Sequence, residues 1–160
     1  MNIREDQRER LRFLDRVVQR EVRHLEETTK RLFAEPFTLE RAANLETHYE
    51  LSERLDAFVS RFSRLQDTLG DKLIPQLLAS LGERRQALID NLDKAERFGW
   101  IESADQWMAI RALRNQMVHE YMEDTKILVS AINRAHDFVS KLTTTAQRIH
   151  QELHRRGWVE

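Results

Sequence analysis

Apolar residues recur at steps of three and four along almost the whole chain, and very little interrupts them. The 160 residues include only 4 Gly and 2 Pro. Such a periodicity puts apolar side chains on one face of a helix, whereas a half-buried strand needs strict alternation. No segment alternates convincingly, and too few breakers are present for the many turns of a sheet protein. The pattern therefore predicts an all-α chain, one domain over residues 1–160 with a single core.

The helices can be laid out from their stripes and stops. Leu11, Leu14, Val18, Val22 and Leu25 mark a first helix over about 3–34. It ends at Ala34-Glu35-Pro36, because proline disfavours helix in the residue before it. Thr38 suits the N-cap of a second helix carrying Leu51, Leu55, Phe58, Val59, Phe62, Leu65 and Leu69. This helix is expected to continue to Leu81 with a kink between Gly70 and Pro75. Gly82 is a natural stop. A shorter helix over 84–98 follows, with Ala87, Leu88, Leu92 and Ala95 inward and Gly99 at its C-terminal cap. Ser103-x-x-Gln106 resembles a capping box for a helix over 104–121. Glu123 and Asp124 open a last helix, from Ile127 to about residue 155. The expected architecture is an antiparallel bundle of four long helices plus a short one, the first two paired across the Pro36 turn.

The bulk properties exclude several classes. No cysteine is present, so there is no disulfide framework, thiolate nucleophile or cysteine-ligated metal. No apolar run approaches the roughly 20 residues that span a bilayer. The charged N-terminus lacks a signal-peptide core. A cytoplasmic protein without membrane partners is expected. With 26 Lys and Arg against 27 Asp and Glu, net charge -1, any nucleic acid would have to be held by a local basic patch. No Gly-rich phosphate loop, serine-triad pattern or carboxylate metal cluster is visible.

One segment breaks its own pattern. With about 100° per residue and Arg114 at the origin, Trp107, Val118 and Tyr121 fall within about 40° of it, and Ile110 close by. Arg114 thus stands inside the apolar stripe. Removing a guanidinium from water costs several kcal/mol unless it is paired. It must meet a carboxylate or open onto a cleft or an interface, and ion-paired arginines between helices are the commoner outcome. Asp67, on the second helix, is a candidate to pair with Arg114 or to orient His119. Asn115 and His119 lie on a second face, about 100° and 140° from Arg114.

The stretch Arg114-Asn115-Gln116-Met117-Val118-His119-Glu120-Tyr121 resembles the signature of HEPN proteins, in particular the HepT-like toxin branch, whose pattern is Arg, four residues, His, one residue, Tyr. Leu92 to Gly99, Trp107 and Arg111-Ala112-Leu113 resemble the lead-in, and Phe62 to Leu78 the preceding long helix. The resemblance runs from about Leu51 to Val139, and residues 1 to 45 add nothing to it. Met122-Glu123-Asp124 departs from the pattern, where a proline would be more usual.

The resemblance implies a toxin of a toxin–antitoxin pair that cuts RNA without metal or cofactor, leaving a cyclic phosphate and a free hydroxyl. The residues suit that chemistry. His119 has the right ordinary pKa to move protons at neutral pH. Arg114 offers a two-pronged hold on a phosphate and stabilises charge developing on it. Asn115 and Tyr121 are supporting candidates. Arg114 and His119 diverge round the helix, so they converge only if the arginine bends round, the helix end distorts or a second subunit contributes. The family is typically dimeric, and a homodimer is expected. The resemblance also implies a small nucleotidyltransferase antitoxin as partner, with Tyr121 as the acceptor of AMP, whose charge and bulk would block RNA. The alternative is a HEPN module without catalysis that binds a nucleotide or serves as partner to a nucleotidyltransferase.

Weaker features remain. His150 and His154 have the i, i+4 spacing of zinc ligands, but lack a third ligand and are expected to be solvated. Arg84-Arg85 and Arg97 would extend a basic groove, although charge runs are ordinarily solvated faces.

Overall fold

α1 covers Glu5–Leu32, and its stripe is buried through Leu11, Leu14, Val18, Leu25 and Leu32. The computed structural model of the chain describes residues 3–84, 86–119 and 123–160, and no strand occurs among them. After the Pro36 turn, Thr38 caps a helix as expected, accepting from the Arg41 backbone N–H. That helix, α2, is only Leu39–Ala43. The long second helix starts later, as α3 at Tyr49–Asp67, because 44–48 has no apolar repeat to pack. His48 opens it, with Nδ1 accepting from the Leu51 backbone N–H at 3.1 Å.

The chain continues from α3 through a π-helical turn, Thr68–Leu73, into α4, Ile74–Ser80. The Ile74 N–H reaches back five residues to the Leu69 carbonyl. A break was expected between Gly70 and Pro75, and here it takes the form of a wider turn. Pro75 has no N–H, and its ring crowds the carbonyl four residues earlier. The wider winding is one way to absorb that conflict without ending the helix.

α5 is Leu88–Arg97, shorter than the 84–98 expected. Ala87, expected inward, is exposed at its N-cap, while Leu92 and Ala95 are buried as expected. Gly99 follows with φ of 80°, a conformation that glycine adopts without steric cost. There the Trp100 N–H bonds back to the Ala95 carbonyl, closing a Schellman cap. α6 is Ala104–His119, with the Ser103 hydroxyl accepting from the Gln106 N–H. α7 is Thr125–Arg155, and the Asp124 carboxylate accepts from the N–H groups of Lys126 and Ile127.

α1 and α3 run antiparallel, as Thr68 bonds to Glu21 and Arg61 bonds to Thr28. α6 is antiparallel to α3 and α7 to α1. The core joins all of these helices around Phe58, Phe62, Leu69, Trp107, Ile132 and Trp158. Burial of each such side chain contributes about 1.5–3 kcal/mol. No helix among the described residues is long and apolar enough to cross a membrane.

Candidate functional site

Arg114 sits on the side of α6 that faces α3, as its place in the apolar stripe predicts. Leu113, Ile110 and Met117 bury beside it. Its guanidinium meets the last residue of α3. Nε donates to Asp67 Oδ1 at 2.9 Å and Nη2 to Oδ2 at 2.6 Å. This two-pronged geometry is the strong form of an arginine–carboxylate contact. The hydrogen bond to Asp67 raises the Arg114 pKa further, outweighing desolvation, and Asp71 adds to the rise, so the group is always charged. The side chains are 18% and 34% exposed, which leaves the pair at a surface rather than in the core. Arg114 Nη1 lies 3.5 Å from Asn115 Oδ1, on the exposed flank of the helix.

A second pair stands one turn away and was not foreseen. Arg111 Nη1 donates to Asp71 Oδ1 at 2.6 Å. Asp71 belongs to the π-turn, whose winding changes where this carboxylate emerges relative to Asp67. The spacing of the four residues, 67 and 71 against 111 and 114, carried the signal. Two carboxylates one turn apart face two arginines one turn apart on an antiparallel helix.

The turn itself packs against Trp107. A β-carbon on Gly70 would lie 2.8 Å from Trp107 Nε1 and 3.0 Å from Gln66 Nε2. The indole therefore seats directly on the glycine backbone. Trp107 Nε1 and both amide atoms of Gln66 are buried without a hydrogen-bond partner among the described residues.

The other expected site residues fall as follows. His119 closes α6 five residues beyond Arg114. Its side chain, together with Glu120, Tyr121 and Met122, lies outside the described residues, so the histidine contact and the tyrosine position do too. Asn115 is exposed, and so is Val118, which the wheel had placed in the buried stripe. Val118 lies in the last turn of α6, next to the buried Met117. Arg97 and Arg84 are exposed and Arg85 lies outside the described residues. His150 is tied to α1 rather than solvated beside His154. Its Nδ1 is 2.9 Å from Asp15 Oδ2, on α1, and His154 is exposed.

The fold and these contacts define an all-helical bundle with a paired arginine–carboxylate seam between α3 and α6. No family model matches the chain, and neither a curated protein nor a solved structure does.

Proposed function

We propose that the chain is a HEPN-type, metal-independent endoribonuclease, a HepT-like toxin, with Arg114 and His119 as its catalytic residues. The observation that carries this reading is the Arg114–Asp67 pair. A permanently charged guanidinium is held in a fixed fork at a partly open surface, five residues before the histidine that ends the same helix. Asp67 grips the Nε/Nη2 edge and so fixes the plane of the guanidinium, and a phosphodiester oxygen would meet it from the Nη1 side. The 2'-hydroxyl next to the scissile phosphate loses its proton to a base and attacks phosphorus, and the 5'-oxygen of the next nucleotide leaves with a proton. His119 serves one or both transfers, and Arg114 stabilises the charge on the phosphate oxygens. Asn115 supports Arg114 from the neighbouring position. Tyr121 is the residue that a nucleotidyltransferase partner modifies to silence the site.

Asp67 also favours a second reading. It already occupies two donors of Arg114, which is how a purely structural ion pair looks. On that reading the chain binds a nucleotide or a nucleotidyltransferase without cutting RNA.

Expression of the wild type, Arg114→Ala and His119→Ala without any partner separates the two. Loss of growth and of RNA integrity with the wild type alone is the expected result. Equal behaviour of all three chains overturns catalysis.

A further inference from the structure

A cleft of about 390 Å³ opens beside the Arg111–Asp71 pair, on the far side of it from Arg114. It is walled by Arg10 of α1, by Asp71 and Lys72 of the π-turn, by Gln76 of α4, by Arg84 in the loop after α4, and by Asn91 of α5. Its charges are unequal in availability. The two acids on the wall, Asp71 and Glu83, are already paired, with Arg111 at 2.6 Å and with Lys94 at 2.8 Å. The three cations Arg10, Lys72 and Arg84 form no ion pair among the described residues, and all three are exposed. Arg10 lies over the Phe13 ring, 5.5 Å from its centre. Asn91 is a buried amide, held by the Gln86 carbonyl.

The neighbouring hollows at the other end of α3 differ in this respect. Their arginines are engaged. Arg31 pairs with Glu27 and Arg54 with Glu50, Arg61 bonds to Thr28, and Arg41 caps the carbonyls that end α1. A near-neutral chain can hold a polyanion only where local cations are not already neutralised. Arg10 and Arg84 meet that condition, Lys72 does so in part because its charge also acts on Glu21, and Arg84 is one of the basic residues that the sequence singled out.

We propose that this cleft binds backbone phosphates of an RNA strand flanking the cut site, with Arg10, Lys72 and Arg84 as the phosphate contacts. The proposal rests on the nuclease reading for its choice of polyanion. The paired Arg111 and Asp71 form the floor between the two sites. Arg114 takes the scissile phosphate, and the strand continues past Arg111 to the three cations. Gln76, partly exposed on the wall, stands where its amide can meet a base or a ribose hydroxyl.

The test is binding, kept separate from cutting. A fluorescent single-stranded RNA made uncleavable by 2'-O-methylation is titrated by anisotropy at two salt concentrations. The wild type is compared with the triple variant Arg10→Glu, Lys72→Glu, Arg84→Glu and with Arg114→Ala. Circular dichroism checks that each variant keeps its helices, and single charge reversals replace the triple variant if it does not. The expected result is a loss of tenfold or more in affinity for the triple variant and a salt slope shallower by about 2, since each single-strand phosphate contact contributes about 0.7. Arg114→Ala removes one phosphate contact and is expected to lose less affinity than the triple variant, with a slope shallower by about 0.7. Wild-type affinity in the triple variant overturns the cleft, and so does failure of the wild type to bind. Binding of free AMP that depends on the same three residues, with unchanged RNA binding, also overturns it in favour of a mononucleotide site. If the triple variant loses RNA but the unmethylated RNA is never cut by the wild type, the cleft stands and the nuclease reading falls.

Discussion

Glu21 is enclosed between α1 and α3, with the Thr68 hydroxyl donating to its Oε2 at 3.2 Å. Its other oxygen is buried without a partner among the described residues. Burial raises its pKa, and the Thr68 bond and the charges of Arg64 and Lys72 only partly offset the rise. The folded chain therefore binds this proton more tightly than the unfolded chain does. Stability falls as pH rises from the ordinary glutamate value, and the full penalty is present above the raised one. Glu21→Gln keeps an oxygen for Thr68 and removes the charge. It is expected to raise Tm at pH 7, with the gain shrinking toward about pH 4.3. An equal gain at both pH values in a thermal melt would show that charge is not the cause. Arg114 and Glu21 also differ in how far sequence exposes them. The arginine lies in the middle of an apolar stripe, where its oddity shows. Glu21 stands at the edge of the α1 stripe, like any surface glutamate, and only the approach of α3 makes it buried.

Among the elements, helix stripes, stops and caps were legible because they are local. Thr38, Ser103 and Gly99 all act where their neighbours predicted. The break in the second helix was legible in place, from Gly70 and Pro75, but not in form. A residue 37 positions away in sequence, Trp107, packs its ring on Gly70 inside that turn, a contact no local pattern exposes. Likewise the split that frees α2 from α3 turns on a histidine cap, an uncommon choice that no simple preference list flags. The Gly70 contact gives a sharp expectation. In Gly70→Ala the new methyl meets the Trp107 ring at 2.8 Å and the Gln66 amide at 3.0 Å, so one of them must move. The indole is locked in the core and has little room. Alanine normally stabilises a helix relative to glycine by about 1 kcal/mol. Here the sign is expected to reverse, with a loss of about 1–3 kcal/mol from overpacking. Urea unfolding of the two proteins measures it, and a more stable alanine variant would mean that the indole yields freely.

At the scale of the whole molecule, long-range polar ties complete what the stripes begin. His150 meets Asp15 across 135 residues and Arg12 donates to the Trp158 carbonyl across 146. Such ties cannot be read from spacing, which is why His150 looked like a solvated partner of His154. Gly157, with φ of 73°, turns the chain so that the Trp158 ring is buried against the bundle. Residues 1–45, silent for function in the sequence, supply much of the core. The proposed nuclease makes one further demand on the whole molecule. Arg114 and His119 stand about 140° apart round an ideal helix, so one chain does not easily point both at one phosphate. Near the end of the same helix and at the start of α7, Val118 and Ile127 are 44% and 50% exposed, apolar side chains that a second copy would cover. A closed two-fold dimer would bring His119 of the partner subunit toward Arg114. Sedimentation is then expected to give twice the 19.1 kDa of the chain. Mixing Arg114→Ala with His119→Ala, each inactive alone, is expected to restore cutting to about a quarter of wild type, because half the dimers are mixed and each has one intact site. A monomer that cuts RNA, or mixtures that stay silent while exchanging subunits, would place the whole reaction within one chain or remove it altogether.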